Sequence, residues 1–330
     1  MRVIVDAMGG DHGPSVVIQG AVDAIKEFPL AIVLVGLKDQ LDVELKKHSY
    51  PRAKIEIVHA PEVVGMDDPP TVSIRKKRNS SISVGMDLLK EGKADAFISA
   101  GNTGAVVCAS TFILGMIPGV ERPAIGLTIP TLQGHSFLID VGANADPKAE
   151  HLLQSSLMAK VYSKEVLGVK NPSIALLNIG EEEGKGSDFH KEAYKLMSGR
   201  LENFFGNIEA NELFKGKCDC IICDGFVGNV CLKVAEGLAE SAGALIKREI
   251  KKSPLAILGA LIMKSRLMHI KKLVDYSEYG GAPLLGVNGV VMICHGRSNS
   301  KAIRNAIRAA IQEAEHQVVA QIAQEVSIKK

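Results

Sequence analysis

The feature that most constrains this chain is a recurring junction, a short apolar run rich in β-branched residues that stops at a cluster of Gly, Asn or Asp. It occurs six times. VIV leads into DAMGGDHG (residues 3–13), AFI into SAGNTG (96–104), FLI into DVGAN (137–144), IALL into NIGEEEGKG (174–186), CIIC into DGFVGN (220–229) and VVMI into CHGRSNS (290–300). Each reads as a buried strand that ends in a polar loop. Helical spacing fills the intervals, for example Val16–Phe28, Ser83–Lys90, His151–Leu167 and Lys301–Ile322. The alternation predicts an α/β fold with a doubly wound parallel sheet. In such a sheet the loops after the strands leave one edge together, so the six loops are expected to converge on one cleft.

The chain has 330 residues and no repeat, low-complexity segment or Pro/Gly/Ser linker, so a single catalytic unit over 1–330 is expected. A formal net charge of +2 argues against general nucleic-acid binding. The N-terminus reaches Asp6 after three apolar residues and lacks the apolar core of a signal peptide, so export is not expected. Cys108, Cys218, Cys220, Cys223, Cys231 and Cys294 lack the paired spacing of a zinc site or a disulfide framework and read as reduced thiols in a cytosolic protein. None of the CIIC-region thiols has an adjacent His, and no metal site is expected.

Residues 247–272 break the pattern. Lys247, Arg248, Lys251, Lys252, Lys264, Arg266, Lys271 and Lys272, with the one acid Glu249, flank an apolar stretch containing Leu255, Ile257, Leu258, Leu261 and Ile262. Pro254 interrupts the helical spacing, which predicts a helical hairpin over 244–275 with an apolar tip. A basic collar around such a tip suits an anionic membrane surface. A dimer interface or additional core is the alternative. The longest apolar run, residues 254–263, falls short of the ~20 residues that span a bilayer.

Two loops have the layout of an anion cradle. In SAGNTG, glycines Gly101 and Gly104 admit close backbone approach, and Ser99, Asn102 and Thr103 supply hydrogen-bonding groups before a candidate helix. No Lys of the GxxxxGK[ST] type follows, which disfavours an NTPase. DGFVGN repeats the layout with Asp224, Gly225, Gly228 and Asn229, where Asp224 fits a helix cap as well as a ligand. Neither loop is GxGxxG with a downstream acid, so a nicotinamide cofactor has weak support. The first loop carries Asp6, Gly9, Gly10, Asp11 and His12, the last a candidate general acid or base. Asn144, and Asn178, Gly180 and Lys185, complete the candidate substrate-binding set, with Lys185 able to neutralise a phosphate. Arg75, Lys76, Lys77 and Arg78 form a basic run fitted either to solvent or to an acidic partner.

Taken together, VDAMGGDHGP, RKKRNSS, ISAGNTGA, LLNIGEE, DGFVGNVCLK and YSEYGGAPLLG resemble the PlsX family of phosphate acyltransferases, over Arg2 to about Ala320. The resemblance implies an isocitrate/isopropylmalate dehydrogenase-like α/β/α sandwich, related to phosphotransacetylases, and a homodimer. It implies transfer of a long-chain acyl group from acyl carrier protein to inorganic phosphate without a cofactor. The acyl phosphate would pass to the glycerol-3-phosphate acyltransferase of the membrane, for phospholipid synthesis. On that basis His12, Lys185 and Asn229 are the candidate catalytic residues, Arg75–Arg78 face the acidic carrier protein, and the hairpin rests on the membrane from the cytoplasmic side. Phosphate is itself a nucleophile, so amide donors at SAGNTG and at Asn178–Gly180 that hold the oxyanion are the main requirement. A decarboxylating NAD(P) dehydrogenase of the same fold and a non-catalytic phosphate-binding scaffold are the other readings.

Overall fold

The computed structural model describes residues 1–268 and 280–328. The six apolar runs all fall on strands: β1 (Arg2–Asp6), β4 (Ala96–Ser99), β6 (Gly134–Ile139), β7 (Ile174–Asn178), β9 (Cys220–Ile222) and β11 (Val290–Ile293). Five further strands, β2 (Ala31–Gly36), β3 (Ile55–His59), β5 (Ala124–Thr131), β8 (Phe204–Glu209) and β10 (Ala282–Leu285), complete one 11-stranded sheet in the order β3-β2-β1-β4-β11-β10-β5-β6-β9-β7-β8.

The sheet is not the uniformly parallel one that the alternation predicts. β3, β2, β1, β4 and β11 run parallel to one another. β6, β9, β7 and β8 do the same. Between these sets β10 is antiparallel to both β11 and β5, and β5 is antiparallel to β6. Three reversals leave the two sets running in opposite directions, so their loops do not leave one edge. Convergence arises another way, through stagger. Pro283 pairs with Met292, Leu284 with Ile125, and Gly126 with Ile139. The carboxyl end of β6 therefore lies level with that of β11, three strand spacings or about 15 Å away. The two sets meet head to head.

Strand side chains alternate between faces, and the core follows that period. Ile4, Phe97, Leu138 and Ile221 enter one apolar layer that runs across both sets. Val3, Val5, Ala96 and Ile98 face the layer under helices α1 (Gly13–Glu27) and, near the C-terminus, α10 (Ser300–Glu315). Phe137, Ile139, Cys220 and Ile222 face helices α6 (Ala149–Glu165), α7 (Asp188–Arg200) and α11 (Val318–Ile328). The remaining helices are α2 (Lys38–Leu45), α3 (Pro70–Lys76), α4 (Ser81–Lys90), α5 (Thr103–Ala109), α8 (Gly225–Ile250) and α9 (Pro254–Ile262). The continuous helix expected over Lys301–Ile322 is divided, because Gln317 adopts φ 51° and turns the chain between α10 and α11.

α8 leaves the body at its first turn. Of its 26 residues only Gly225 and Gly228 are buried. After a break at Lys251–Ser253, Ser253 caps α9 by accepting from the Ala256 N–H, and Pro254 occupies the first turn. No residue of α9 is buried. Lys271, Lys272 and the YSEY part of YSEYGGAPLLG lie outside the described residues, so the far limb of the expected hairpin is not part of this description. No helix among the described residues is long and apolar enough to cross a membrane.

The root of α8 sits hard against β6. A Cβ on Gly228 would stand 1.9 Å from the Asp140 carbonyl oxygen and 2.8 Å from Cys223 Sγ. Backbone cannot yield as a flexible side chain does, so Gly228→Ala is expected to lower stability by about 3 kcal/mol or to displace α8. Thermal unfolding checks this, and an unchanged melting temperature would contradict the contact.

Candidate active site

The first loop group is organised by Asp6. Asp6, Ser99 and Ile293 are in register on β1, β4 and β11, which brings three loop roots to one level. Asp6 is buried and its Oδ2 accepts from Ser99 Oγ at 2.6 Å, while Oδ1 accepts from the Met8 N–H at 3.1 Å. Ser99 Oγ in turn accepts from the Gly101 N–H. Gly9 lies so close to Gly101 that a Cβ would meet its nitrogen at 2.5 Å, which explains glycine there. Gly10 and Asp11 abut the third loop, whose Gly296 carbonyl accepts from the Asp11 N–H at 2.8 Å. His12 is exposed at the start of α1, and its side chain does not cap the helix.

Asn102 occupies a different role from the oxyanion donor that the sequence leads one to expect. Its Oδ1 caps α5 by accepting from the Ala105 N–H at 3.0 Å. Its Nδ2 faces the carbonyls of Gly65, Met66 and Asp68 at 3.3, 2.8 and 3.0 Å. The amide is committed to holding segment 65–68 against α5. That segment leads into the basic run, and Pro70 packs on Gly104. Within the run Arg75, Lys76 and Arg78 are exposed, whereas Lys77 turns inward to Val63 O at 2.8 Å and Asp68 Oδ2 at 2.7 Å. The expected row of four free cations is a row of three. Arg75 lies over the Phe112 ring at 5.9 Å. Thr103 remains exposed.

The second group is organised by Asp140, a residue without a part in the sequence reading. It is buried, and its carboxylate accepts from the backbone N–H groups of Ile125, Gly142, Ala143 and Asn144 at 2.8–3.1 Å, and from Asn144 Nδ2. A carboxylate bound by successive backbone amides shapes the DVGAN loop as an anion-filled nest. Asn144 also donates to Pro123 O, and its own carbonyl accepts from the Gly225 N–H at 2.7 Å. Asp224 caps α8 through the Val227 N–H at 2.8 Å, the structural role its position allowed. Asn229 is exposed on the first turn of α8, facing Gly142.

The third group neighbours the second through β7 and β9. Asn178 Nδ2 donates to Lys185 O at 3.1 Å and its Oδ1 accepts from the Ile179 N–H, so this amide also shapes its own loop and is not an open donor. Lys185 is exposed with Nζ 4.0 Å from Glu182, and its stem packs over Gly180. Glu181 is paired with Lys217 at 3.0 Å.

The first and second groups touch through two further residues that the sequence reading passed over. Lys233 on α8 reaches His295 in the CHGRSNS loop, with Nζ 3.4 Å from Nε2.

The buried cysteines are chemically quiet. Burial pushes Cys218, Cys220 and Cys294 up to about 12 and raises Cys223 well above its ordinary value. Thiols so placed do not ionise near neutrality and make poor nucleophiles. No cluster of metal-binding side chains occurs among the described residues.

Comparison with known proteins follows the same lines. The family model described as "Fatty acid synthesis protein" matches residues 1–321. The phosphate acyltransferase of Trichlorobacter lovleyi is 49% identical over 327 residues, covering 99% of this chain and 95% of that protein. That of Dictyoglomus turgidum is 51% identical over 312 residues, covering 94% and 93%. The chain belongs to the PlsX family of phosphate acyltransferases. As a family member it is an acyltransferase that forms acyl phosphate. The PlsX fold is the phosphotransacetylase and dehydrogenase α/β/α sandwich: the EutD phosphotransacetylase from Staphylococcus aureus superposes with TM-score 0.64 at 16% identity, covering 96% of this chain and 94% of that one. A 4-hydroxythreonine-4-phosphate dehydrogenase from Klebsiella pneumoniae gives 0.51 at 15% identity, covering 95% and 99%.

Asp6 sets a pH dependence of stability. Burial raises its carboxyl above the ordinary 3.8, opposed by hydrogen bonds from Ser99, Ser81, Met8 and Gly9. Burial likewise raises Asp140 against its amide donors. The folded state then holds these protons more tightly than the unfolded chain, so stability is greatest below the unfolded value and falls as pH rises through the folded one. Asp6→Asn is expected to remove its share of that slope, leaving the share of Asp140. Denaturant unfolding measured from pH 4 upward checks this, and an undiminished slope would refute it.

Proposed function

We propose that this PlsX-family chain transfers a long-chain acyl group from acyl carrier protein to inorganic phosphate, at the place where the carboxyl ends of the two opposed strand sets meet. The observation that carries this reading is that meeting of loop ends, with buried Asp6 and Asp140 each fixing the shape of a loop by accepting its backbone N–H groups.

The chemistry asks little of side-chain nucleophiles. An oxygen of hydrogen phosphate attacks the thioester carbonyl carbon, the C–S bond breaks, and the proton leaving the phosphate ends on the thiolate, so the step balances without a co-reactant. A thiol of ordinary pKa, about 8.5, is a good leaving group. What remains is orientation of two anionic or polar partners and stabilisation of the tetrahedral oxyanion. Lys185, Asn229, His12 and Thr103 are among the exposed polar side chains on these loops and are our candidates for contact with substrate. The Asn102 and Asn178 side chains, both bound to main chain, do not take the oxyanion role that the sequence reading gave to their loops.

The partners follow from surface chemistry. Arg75, Lys76 and Arg78 lie on the segment that Asn102 ties to α5, a basic surface beside the first loop group and suited to an acidic carrier protein. Phe226, Val230, Val234 and Leu238 recur every fourth residue on α8 and are exposed, a stripe suited to the same helix of a second copy in a homodimer. Leu255, Leu258, Leu261 and Ile262 on α9 stand exposed near Lys251 and Lys252, as a peripheral contact with an anionic membrane requires. Delivery of a water-insoluble acyl phosphate to a glycerol-3-phosphate acyltransferase in that membrane gives the contact its purpose.

The transfer is tested by mixing the purified protein with palmitoyl acyl carrier protein and phosphate, following free thiol, and trapping acyl phosphate with hydroxylamine. Thiol release that requires phosphate and is matched by hydroxamate is expected, and absence of release across several chain lengths would overturn the reading. For the membrane contact, Leu258→Glu with Leu261→Glu is expected to abolish sedimentation with anionic liposomes while the melting temperature stays unchanged. Loss of the dimer in that double variant would instead assign α9 to the subunit interface.

A further inference from the structure

Helix α3 lies along α5 through contacts at four-residue intervals. A Cβ on Gly104 would stand 2.6 Å from Pro70 Cγ, Thr71 Oγ1 is 3.6 Å from Cys108 Sγ, and the Arg75 guanidinium lies 5.9 Å over the ring of Phe112, in the π-turn Ser110–Leu114 that continues α5. Residues four apart neighbour one another on a helix surface, so these contacts form one seam. Because α5 begins in SAGNTG, the seam seats α3 beside the first loop group. Arg75, Lys76 and Arg78 are carried there as exposed cations.

Lys77, just past the carboxyl end of α3, is used differently. Its Nζ turns back and donates to Val63 O at 2.8 Å and to Asp68 Oδ2 at 2.7 Å. The same Oδ2 accepts the Gly65 N–H at 2.8 Å. Asn102 holds this segment from the other side, through the carbonyls of Gly65, Met66 and Asp68. Residues 63–68 are thus a strap clamped between the end of α3 and the start of α5. Its Met66 reaches the loop after β11, where a Cβ on Gly296 would stand 2.9 Å from Met66 Cε. One strap therefore touches α3, the SAGNTG loop and the loop after β11.

Magnitudes decide what the clamp is for. The Lys77 and Asp68 side chains are 36% and 35% exposed, and an ion pair open to water to that degree adds little to stability. Facing outward, Lys77 would give the basic run a fourth cation with which to attract an acidic partner. Facing inward it forgoes that attraction, and what it supplies instead is position. The hydrogen bond from Lys77 also holds the Asp68 carboxyl below its ordinary 3.8, so the acceptor stays charged at neutral pH.

We propose that Lys77 is a positioning residue that, through Asp68 and the strap, fixes the basic face of α3 relative to the SAGNTG loop, so that a carrier protein docked on Arg75, Lys76 and Arg78 delivers its thioester in line with the phosphate. The inference rests on the proposed reading that the acidic carrier protein docks on this face, and it adds the device that sets the docked partner's aim. Lys77 itself touches neither substrate.

The test compares two donors on the full chain, dodecanoyl acyl carrier protein and dodecanoyl pantetheine, the second having a thioester but no carrier protein. Lys77→Met is expected to lower kcat with the carrier-protein donor by about 10- to 100-fold, as a small misplacement of reacting groups does. KM for that donor should stay within about threefold, because the three outward cations remain, and kcat/KM with dodecanoyl pantetheine should also stay within about threefold. Lys77→Arg, which keeps a cationic donor within reach of Asp68, should recover most of the lost rate. Should Lys77→Met fail to fold, Asp68→Asn keeps an acceptor for the Gly65 N–H without the charge and should show the same selective loss in smaller measure. Equal loss with both donors would mean that Lys77 only maintains the loop, and it overturns the proposal. Unchanged kcat with the carrier-protein donor overturns it as well, and so does a rise confined to KM, which would make Lys77 part of the docking surface. Wild-type protein that does not turn over the carrier-protein donor refutes the transfer reading and the role of Lys77 with it, whereas carrier-protein turnover that survives Lys77→Met refutes the role alone.

Discussion

Everything distinctive about this molecule depends on the reversal of strand direction at the centre of its sheet. A uniformly parallel sheet places its loop ends along one edge, in a row as wide as the sheet. Here β10 and β5 turn the direction over, and the pairings Pro283–Met292, Leu284–Ile125 and Gly126–Ile139 slide the second set until its carboxyl ends face those of the first. The result concentrates loops from both sets around one junction. It also gives that junction walls from two differently folded surfaces, so a ligand held between them senses both. Antiparallel pairing matters for a second reason. Its hydrogen bonds are perpendicular to the strands, and a slip by one residue would exchange Leu138 and Ile139 between the two apolar layers that they fill.

The loops themselves are built by committing polar side chains to backbone. Asp6 and Asp140 each sit at the end of a strand, buried, with the charge answered by hydroxyl and amide donors. Asn102, Asn144 and Asn178 each bond to main chain, and Asp224 caps α8. Unpaired buried polar groups are costly, so a loop that carries so many of them is rigid once every donor has an acceptor. Rigidity is useful where the task is to hold a small anion and a thioester in line. Lys185, Asn229, Thr103 and His12 are among the side chains left exposed at the loop ends.

This division explains what the sequence made legible. The six apolar runs announced their strands because a strand buried on both faces must be apolar throughout, and all six were found in the sheet. Five strands, β2, β3, β5, β8 and β10, are not among those runs, and β5 and β8, with Thr128, Pro130 and Asn207 among their residues, carry a mixed pattern. Strand direction was not legible either, since pairing is set by contacts far apart in sequence and leaves no local periodicity. Among site residues, position was readable and role was not. Gly-Asn and Asp-Gly turns mark a loop after a strand, but whether an Asn points at a ligand or at Met66 O depends on a segment that lies 36 residues earlier. Asp140 escaped notice because a single Asp after FLI looks like any strand terminus. His295 escaped because its partner Lys233 stands 62 residues away on a helix that reads as ordinary amphipathic sequence.

The long helix α8 joins the two ends of the chemistry. It begins in the junction, with Asp224 and Gly225 fixed by Val227 and Asn144, and runs 26 residues, about 39 Å at 1.5 Å per residue, before the chain turns into α9. A helix anchored in this way at one end transmits position along its length, whereas a flexible linker would not. Its exposed apolar stripe and the exposed tip beyond it would be a solubility burden in an isolated monomer. In the proposed assembly, burial of that surface against a second copy and a lipid headgroup layer removes the burden, and it fixes the distance between the junction and the surface to which an acyl phosphate goes. Gly228, pressed against the Asp140 carbonyl, sets the angle at which the helix leaves. The backbone contact at one glycine thus orients the arm relative to the loops, and the side chains farther along α8, Asn229 and Lys233, inherit their aim into the junction from it.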